Sequence, residues 1–128
     1  MADHPNAAKL RAAGDAMDRG DEMASFIELL DDDIVWHEIG RDDPIRGKQA
    51  LAERFAGMPE GASITTDTHD IVANDEHAIM LVTATATMGD QKLVYRTAEI
   101  YHMKDGKITE RWAFSDDTDR INKFFAGM

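Results

Sequence analysis

The sequence predicts an α+β fold, and three observations carry that prediction. Helical periodicities dominate the chain before residue 60, interrupted by one strand-like run. From Ser63 to Ser115 four long strand-like runs follow one another. Short turn signals separate those runs, including an Asp105-Gly106 pair. Helices segregated from an antiparallel meander are the mark of an α+β chain. The length, 128 residues, suits one domain with one ordinary core, so residues 1–128 are read as a single domain.

The elements follow in order. Leu10, Ala13 and Met17 recur at helical spacing, and Gly20 is placed to end that helix. Asp21 can cap a second helix, on which Met23, Phe26, Ile27 and Leu30 form an i, i+3, i+4, i+7 stripe. Asp31-Asp32-Asp33 should stop it, and Ile34 to Ile39 has the β-branched and aromatic content of a strand. Gly40 to Gly47, with Pro44 inside, reads as a loop. Leu51, Phe55 and Met58 mark a third helix that Gly57 and Pro59 terminate. The strands are Ser63–Ala73, Ala78–Met88, Lys92–Met103 and Lys107–Ser115. Asp117-Thr118-Asp119 ahead of Ile121, Phe124 and Phe125 looks like a capped final helical turn.

Composition narrows the function classes. Asp and Glu total 25 against 14 Lys and Arg, a formal charge of −11. That surface repels phosphate backbones and anionic lipid, and the basic residues form no stripe, so neither nucleic acid nor membrane is an expected partner. The chain has no cysteine, which removes disulfides, thiolate metal sites and cysteine nucleophiles. No signal peptide or membrane-length apolar run is visible, and a cytoplasmic protein is the expectation. His4, His37, His69, His77 and His102 show no metal-ligand spacing. There is no glycine-rich phosphate loop and no nucleophile elbow.

Three stretches carry a family resemblance: Asp32-Asp33-Ile34-Val35-Trp36-His37-Glu38-Ile39-Gly40, Ile45-Arg46-Gly47-Lys48-Gln49-Ala50-Leu51, and Asp105-Gly106-Lys107-Ile108-Thr109-Glu110-Arg111-Trp112-Ala113-Phe114. On these the chain resembles the SnoaL-like branch, polyketide cyclases and ketosteroid isomerases among them, of the nuclear transport factor 2-like superfamily. The resemblance implies a cone-shaped, strongly curved antiparallel sheet, closed by the N-terminal helices around a pocket for a small apolar ligand. It also implies a homodimer paired across the outer face of the sheet. By comparison with ketosteroid isomerases, His37 stands near the general base and Glu99 near the acid that binds the developing oxyanion. Ala13 stands roughly where those enzymes carry a first-helix tyrosine. Epoxide hydrolases of this fold carry Arg-x-Asp on one strand, where this chain has Arg96-Thr97-Ala98.

Strand register gives a second route to the site. If Asp105-Gly106 is a two-residue turn, Lys104 opposes Lys107, Met103 opposes Ile108, Tyr101 opposes Glu110, Glu99 opposes Trp112 and Thr97 opposes Phe114. Directly opposed residues share a face, so Glu99, Trp112 and Phe114 are expected inside, with Arg111 and Ala113 outside. A slip of one residue would invert those assignments. His37 and Glu99 are the candidate catalytic pair, with Trp36, Phe55, Met58, Tyr101, Trp112, Phe114 and Asp116 as candidate substrate contacts. Several have a plainer alternative: His37 a packed strand histidine, Glu99 a solvated outer residue, Trp112 and Phe114 core, with the same ambiguity for Trp36 and Tyr101, and Asp116 a helix cap. The chemistry expected is proton transfer beside a carbonyl, with Glu99 as a protonated donor, by a cofactor-independent isomerase, cyclase or hydratase. The alternative is a ligand-binding protein of the same fold without catalysis.

Overall fold

The computed structural model describes residues 4–18, 24–57 and 61–126; the side chains of residues 14–18, 24, 25 and 55 lie outside that description. The element order is α1 (Pro5–Asp18), α2 (Ala24–Glu28), β1 (Leu30–Trp36), β2 (Ile45–Arg46), α3 (Lys48–Ala56), β3 (Ala62–Ala73), β4 (His77–Met88), β5 (Gln91–Lys104), β6 (Lys107–Ser115) and α4 (Thr118–Phe125). The strands form one curved sheet in the order β2-β1-β6-β5-β4-β3. The fold is the α+β architecture expected. Among the described residues, no helix is long and apolar enough to cross a membrane.

Two local expectations are corrected. The three aspartates do not end a helix: β1 begins at Leu30 and contains them. They occupy an irregularity in the parallel β1–β6 pairing, where Leu30 partners Ile108 and Val35 partners Glu110. Asp32 and Asp33 are exposed there, while Ile34 turns fully inward. The stretch from Gly40 to Gly47 is not wholly loop either, because β2 pairs with β1 through Val35–Arg46 and Trp36–Ile45. The helix-ending role given to Gly20, the cap at Asp21, and the packing of Met17, Met23 and Met58 fall outside the described residues.

The long hairpins obey their turn chemistry. Asp105 and Gly106 have φ of 53° and 77°, the two positive values that a two-residue type I′ turn needs. Gly89 supplies a single positive φ of 58° at the β4–β5 turn, where Met88 partners Gln91. Asp117 caps α4 by accepting a hydrogen bond from the backbone N–H of Arg120.

The inner face of the sheet carries two apolar clusters. One joins Leu10 of α1, Phe26 of α2, Leu51 of α3 and the β-strand residues Leu30, Ile34, Trp36, Tyr101, Met103 and Ile108. The other lies under α4 and joins Ile121 to Leu93, Tyr95, Ala84 and Ala86. At that second end β4 turns only alanines inward, small side chains that leave volume beneath α4 rather than filling it.

Candidate functional site

That volume is a cavity of about 430 Å³, within the range of small-molecule sites. Its apolar wall is Trp36, Ile39, Ile64, Tyr95, Ile121 and Phe125, and its polar groups come from Glu38, Arg41, Arg54, Arg111 and Asn122. Trp36 ends β1 with its ring turned inward, packed edge-on against Phe26 at 5.8 Å between centroids. Gly40 has φ of 77°, and a Cβ there would run into the side-chain amide of Asn122 on α4. Glycine suits both that backbone and the close approach of that amide at the cavity rim.

The residue at the centre of the polar wall is Arg111. Its Nη2 donates to Glu99 at 3.2 Å and its Nη1 to the His37 carbonyl at 2.9 Å. The guanidinium carbon stands 4.3 Å from the centre of the Trp36 ring, a cation–π arrangement. Its Nε has no acceptor and is the one such buried side-chain atom among the described residues. Glu99 sits behind it and accepts from three donors: Arg111, the Tyr101 hydroxyl at 2.8 Å and the Thr97 hydroxyl at 3.2 Å. An acid so surrounded acts as an acceptor, which reverses the expectation that Glu99 serves as a donor.

Burial pushes the Tyr101 hydroxyl well above its usual range, and the Glu99 charge adds to the shift while Arg111 opposes it. Tyr95 is raised in the same way, first by burial and then by Glu99, again against Arg111. Both phenols are therefore held as donors at neutral pH. At the rim, Glu38 accepts from Arg54 at 3.2 Å and stands 3.9 Å from Arg41.

The structure brings together only part of the predicted set. The turn is as expected, with Lys104 opposite Lys107 and Met103 opposite Ile108, but the register then shifts by one. His102 partners Glu110, Tyr101 partners Arg111, Ile100 partners Trp112, Glu99 partners Ala113 and Ala98 partners Phe114. Thr109 is the extra residue, and its hydroxyl donates to the His102 carbonyl at 3.3 Å. This β-bulge lets Ile108 and Arg111 both face inward, although they are three residues apart. Trp112 and Phe114 consequently lie on the outer face, with Phe114 61% exposed, and Arg111 takes the inner place expected of Trp112.

His37 also faces outward. It follows the inward Trp36, stacks on Trp112 with centroids 5.3 Å apart, and bonds Glu110 at 2.8 Å. It therefore does not meet Glu99. Tyr101 is buried in the core behind Glu99 rather than in the cavity wall, whereas Trp36 does line the cavity. Asp116 brackets Arg96, accepting from its N–H and donating its own N–H to the Arg96 carbonyl. It borders an outer-face groove with Leu81, Ala98 and Phe114. The side chain of Phe55, and Met58 altogether, lie outside the described residues.

Glu38, Tyr95 and Arg111 are the cavity groups that sequence reasoning missed. For Glu38 a signal existed, since Ile34, Trp36 and Glu38 share the parity of β1's inner face. Among the described residues, no group of three or more His, Asp or Glu is arranged to hold a metal.

Comparison with known families places this architecture. The SnoaL-like domain model matches residues 10–111, most of the chain, and the protein belongs to that family. No curated protein matches the sequence. Among solved structures, a protein of unknown function with a cystatin-like fold from Xanthomonas campestris superposes with a TM-score of 0.82 at 18% identity, covering 94% of this chain and 98% of that one. An LEH-like epoxide hydrolase from M. tuberculosis gives 0.77 at 20% identity, covering 95% and 90%. TerC, co-crystallised with polyporic acid, gives 0.79 at 15% identity, covering 96% and 99%. At these identities the likeness is one of fold.

Proposed function

We propose that the cavity beneath α4 binds a small, largely apolar carbonyl compound and moves a proton next to that carbonyl. The carrying observation is one apolar chamber whose wall holds a carboxylate, a phenol and a guanidinium: Glu38, Tyr95 and Arg111. In this reading the Glu38 carboxylate takes the α-proton. The C–H electron pair becomes the enolate π-bond, and the carbonyl oxygen takes the charge as an oxyanion. The Tyr95 hydroxyl and the Arg111 guanidinium donate to that oxyanion. Return of the proton at another carbon is isomerisation; attack of the enolate on a second carbonyl carbon is aldol cyclisation. The unpartnered Nε of Arg111 supports an oxygen-bearing ligand, because a buried N–H without an acceptor costs about 1–3 kcal/mol. Glu99 is a positioning residue here, fixing the guanidinium from behind.

The test is exchange of α-protons for deuterium, followed by NMR, across a panel of aryl and alicyclic ketones. Wild-type protein should exchange at least one of them, and Glu38→Gln should slow that exchange by about 10²–10⁴-fold, the scale of general acid–base catalysis. Exchange indifferent to both Glu38→Gln and Tyr95→Phe would reject the assignment. A second reading, binding without turnover, is favoured by the ties of Glu38 to Arg54 and Arg41, which occupy its oxygen. It expects a ketone that raises the melting temperature, is recovered unchanged and exchanges no proton. We further propose that two copies pair across the outer face of the sheet, where Val72, Leu81, Val94 and Phe114 are exposed. A monomer in sedimentation equilibrium would remove that proposal.

A further inference from the structure

Five histidines are scattered along the sequence, and folding sorts them into two kinds. His4 uses both ring nitrogens, Nε2 with Asp75 and Nδ1 with the backbone N–H of Asn6. His37 is tied to Glu110 and His69 to the Thr83 hydroxyl at 2.6 Å. His77 and His102 are different: neither ring makes a hydrogen bond to the described residues. These two stand directly opposite each other on β4 and β5, with ring centroids 4.7 Å apart and planes at 82°.

We propose that His77 and His102 form a two-imidazole site for a divalent late transition-metal ion, Zn²⁺ or Cu²⁺, on the outer face of the sheet. The donor type suits these ions, which imidazole binds in preference to the hard, oxygen-seeking cations. The spacing suits them too. Two imidazoles that share one ion at about 2.0–2.1 Å, near the tetrahedral angle, have ring centres roughly 5 Å apart. The observed separation meets that without any movement of backbone, and rotation about the side-chain bonds aims the nitrogens.

The scaffold is rigid where it matters. The His77 N–H and the Glu76 N–H both donate to the Asn74 side-chain oxygen, which fixes the entry to β4. The partner strand is held by an unbroken register of twelve pairs from His77–His102 to Met88–Gln91. Trp112 packs edge-on against His102 at 4.6 Å, within reach of an ion held by that ring. With two protein ligands the remaining coordination positions are left to water. The site is distinct from the cavity, which opens on the opposite face of the sheet.

The indole gives the site its own reporter. Cu²⁺ held by His102 should quench Trp112 emission, while Trp36 is buried on the inner face. Titration of the intact protein with Cu²⁺ by fluorescence, and with Zn²⁺ by calorimetry, should show saturable binding of no more than one ion per chain. His77→Gln and His102→Gln should each weaken it by at least about tenfold, the lower end of what altering even a supporting partner of a metal ligand costs. His69→Gln, which removes a histidine already bonded to Thr83, should leave the affinity unchanged. Circular dichroism of each variant establishes that it is folded. Absence of saturable binding in the wild type, or binding that folded His77→Gln and His102→Gln variants retain in full, overturns the proposal.

Discussion

The two faces of the β5–β6 hairpin carry the same kinds of side chain and use them in opposite ways. Inside, Glu99 gathers a guanidinium, a phenol and a threonine hydroxyl into a network whose ion-pair side chains are 10% and 16% exposed. Outside, Glu110 meets His37 over Trp112, in a pair 28% and 30% exposed. Removed from water, the inner charges depend on each other, and breaking one strands the rest. The outer ones keep access to solvent, which replaces whatever a neighbour withdraws. Depth, more than chemistry, separates a structural network from a surface contact.

The feature that keeps the two sets apart is the extra residue at Thr109, so the largest effect should follow from changing the count beyond it. Inserting one alanine between Glu110 and Arg111 moves every later side chain to the other face: Trp112 and Phe114 would have to enter, and Arg111 would leave Glu99. Loss of a cooperative thermal transition is expected, since an indole does not fit the space now filled by the guanidinium. Deleting Thr109 instead places Ile108 and Arg111 two residues apart and keeps both inward, so that variant should still melt cooperatively. Replacing Thr109 by Ser keeps the extra residue and the hydroxyl bond to His102, and should melt close to wild type. An insertion variant that melts cooperatively, with Trp emission unchanged, would disprove this account of the bulge.

Next in size is the inner pair itself. Glu99→Ala leaves the Arg111 charge without its acid and the Tyr101 hydroxyl without its acceptor. A loss of about 3–5 kcal/mol is expected from removing one member of a buried pair, measured by urea unfolding. Glu99→Gln keeps an acceptor for Tyr101 and should fall between that variant and wild type.

Alkaline pH probes the same network through its phenols. Tyr95 and Tyr101 are the chain's two tyrosines, and both are raised above the ordinary 10.0. The folded chain therefore keeps these protons at pH values where the unfolded chain releases them. Their stabilising contribution is complete below pH 10 and is lost as pH rises through the folded values. Phenolate absorbance should stay low above pH 10 for as long as the chain is folded, and Tyr101 should ionise only together with loss of the native circular dichroism. Ionisation of both rings near pH 10 in folded protein would contradict the inner-face burial.

Much of this was legible in the sequence, and the division is physical. The α+β order, the four long strands and the Asp105-Gly106 turn follow from local chemistry, which acts over a few residues. The inward face of Glu99 was also readable, because β5 alternates regularly from Leu93 through Tyr95, Thr97 and Tyr101 to Met103. The face of β6 was not. Nothing in Ile108-Thr109-Glu110-Arg111-Trp112 marks one residue as extra, since the bulge answers to β1 on one side and β5 on the other. The three aspartates misled for the same reason: they tolerate a strand because β1 bows away from β6 there and leaves Asp32 and Asp33 in water. Glu38 is recoverable from parity, which places it with Ile34 and Trp36 on the inner face of β1.

The smallest expected effect makes the comparison quantitative. Glu110→Gln removes the outer carboxylate but keeps a hydrogen-bonding group within reach of the His37 ring. Both partners already contact water, so the contact is worth at most about 1 kcal/mol, and any charged part of it less at raised salt. The stacking of His37 on Trp112 does not need the charge. A urea midpoint within the error of wild type at 0.5 M salt, beside the large shift for Glu99→Ala, would establish that the two acids differ by their faces alone. If Glu110→Gln instead cost as much as Glu99→Ala, either the pair is drier within one chain than its exposure allows, or the second copy proposed for the outer face extends over His37 and Glu110. The same measurement repeated at a tenfold lower protein concentration separates the two causes, because only burial by a partner weakens on dilution.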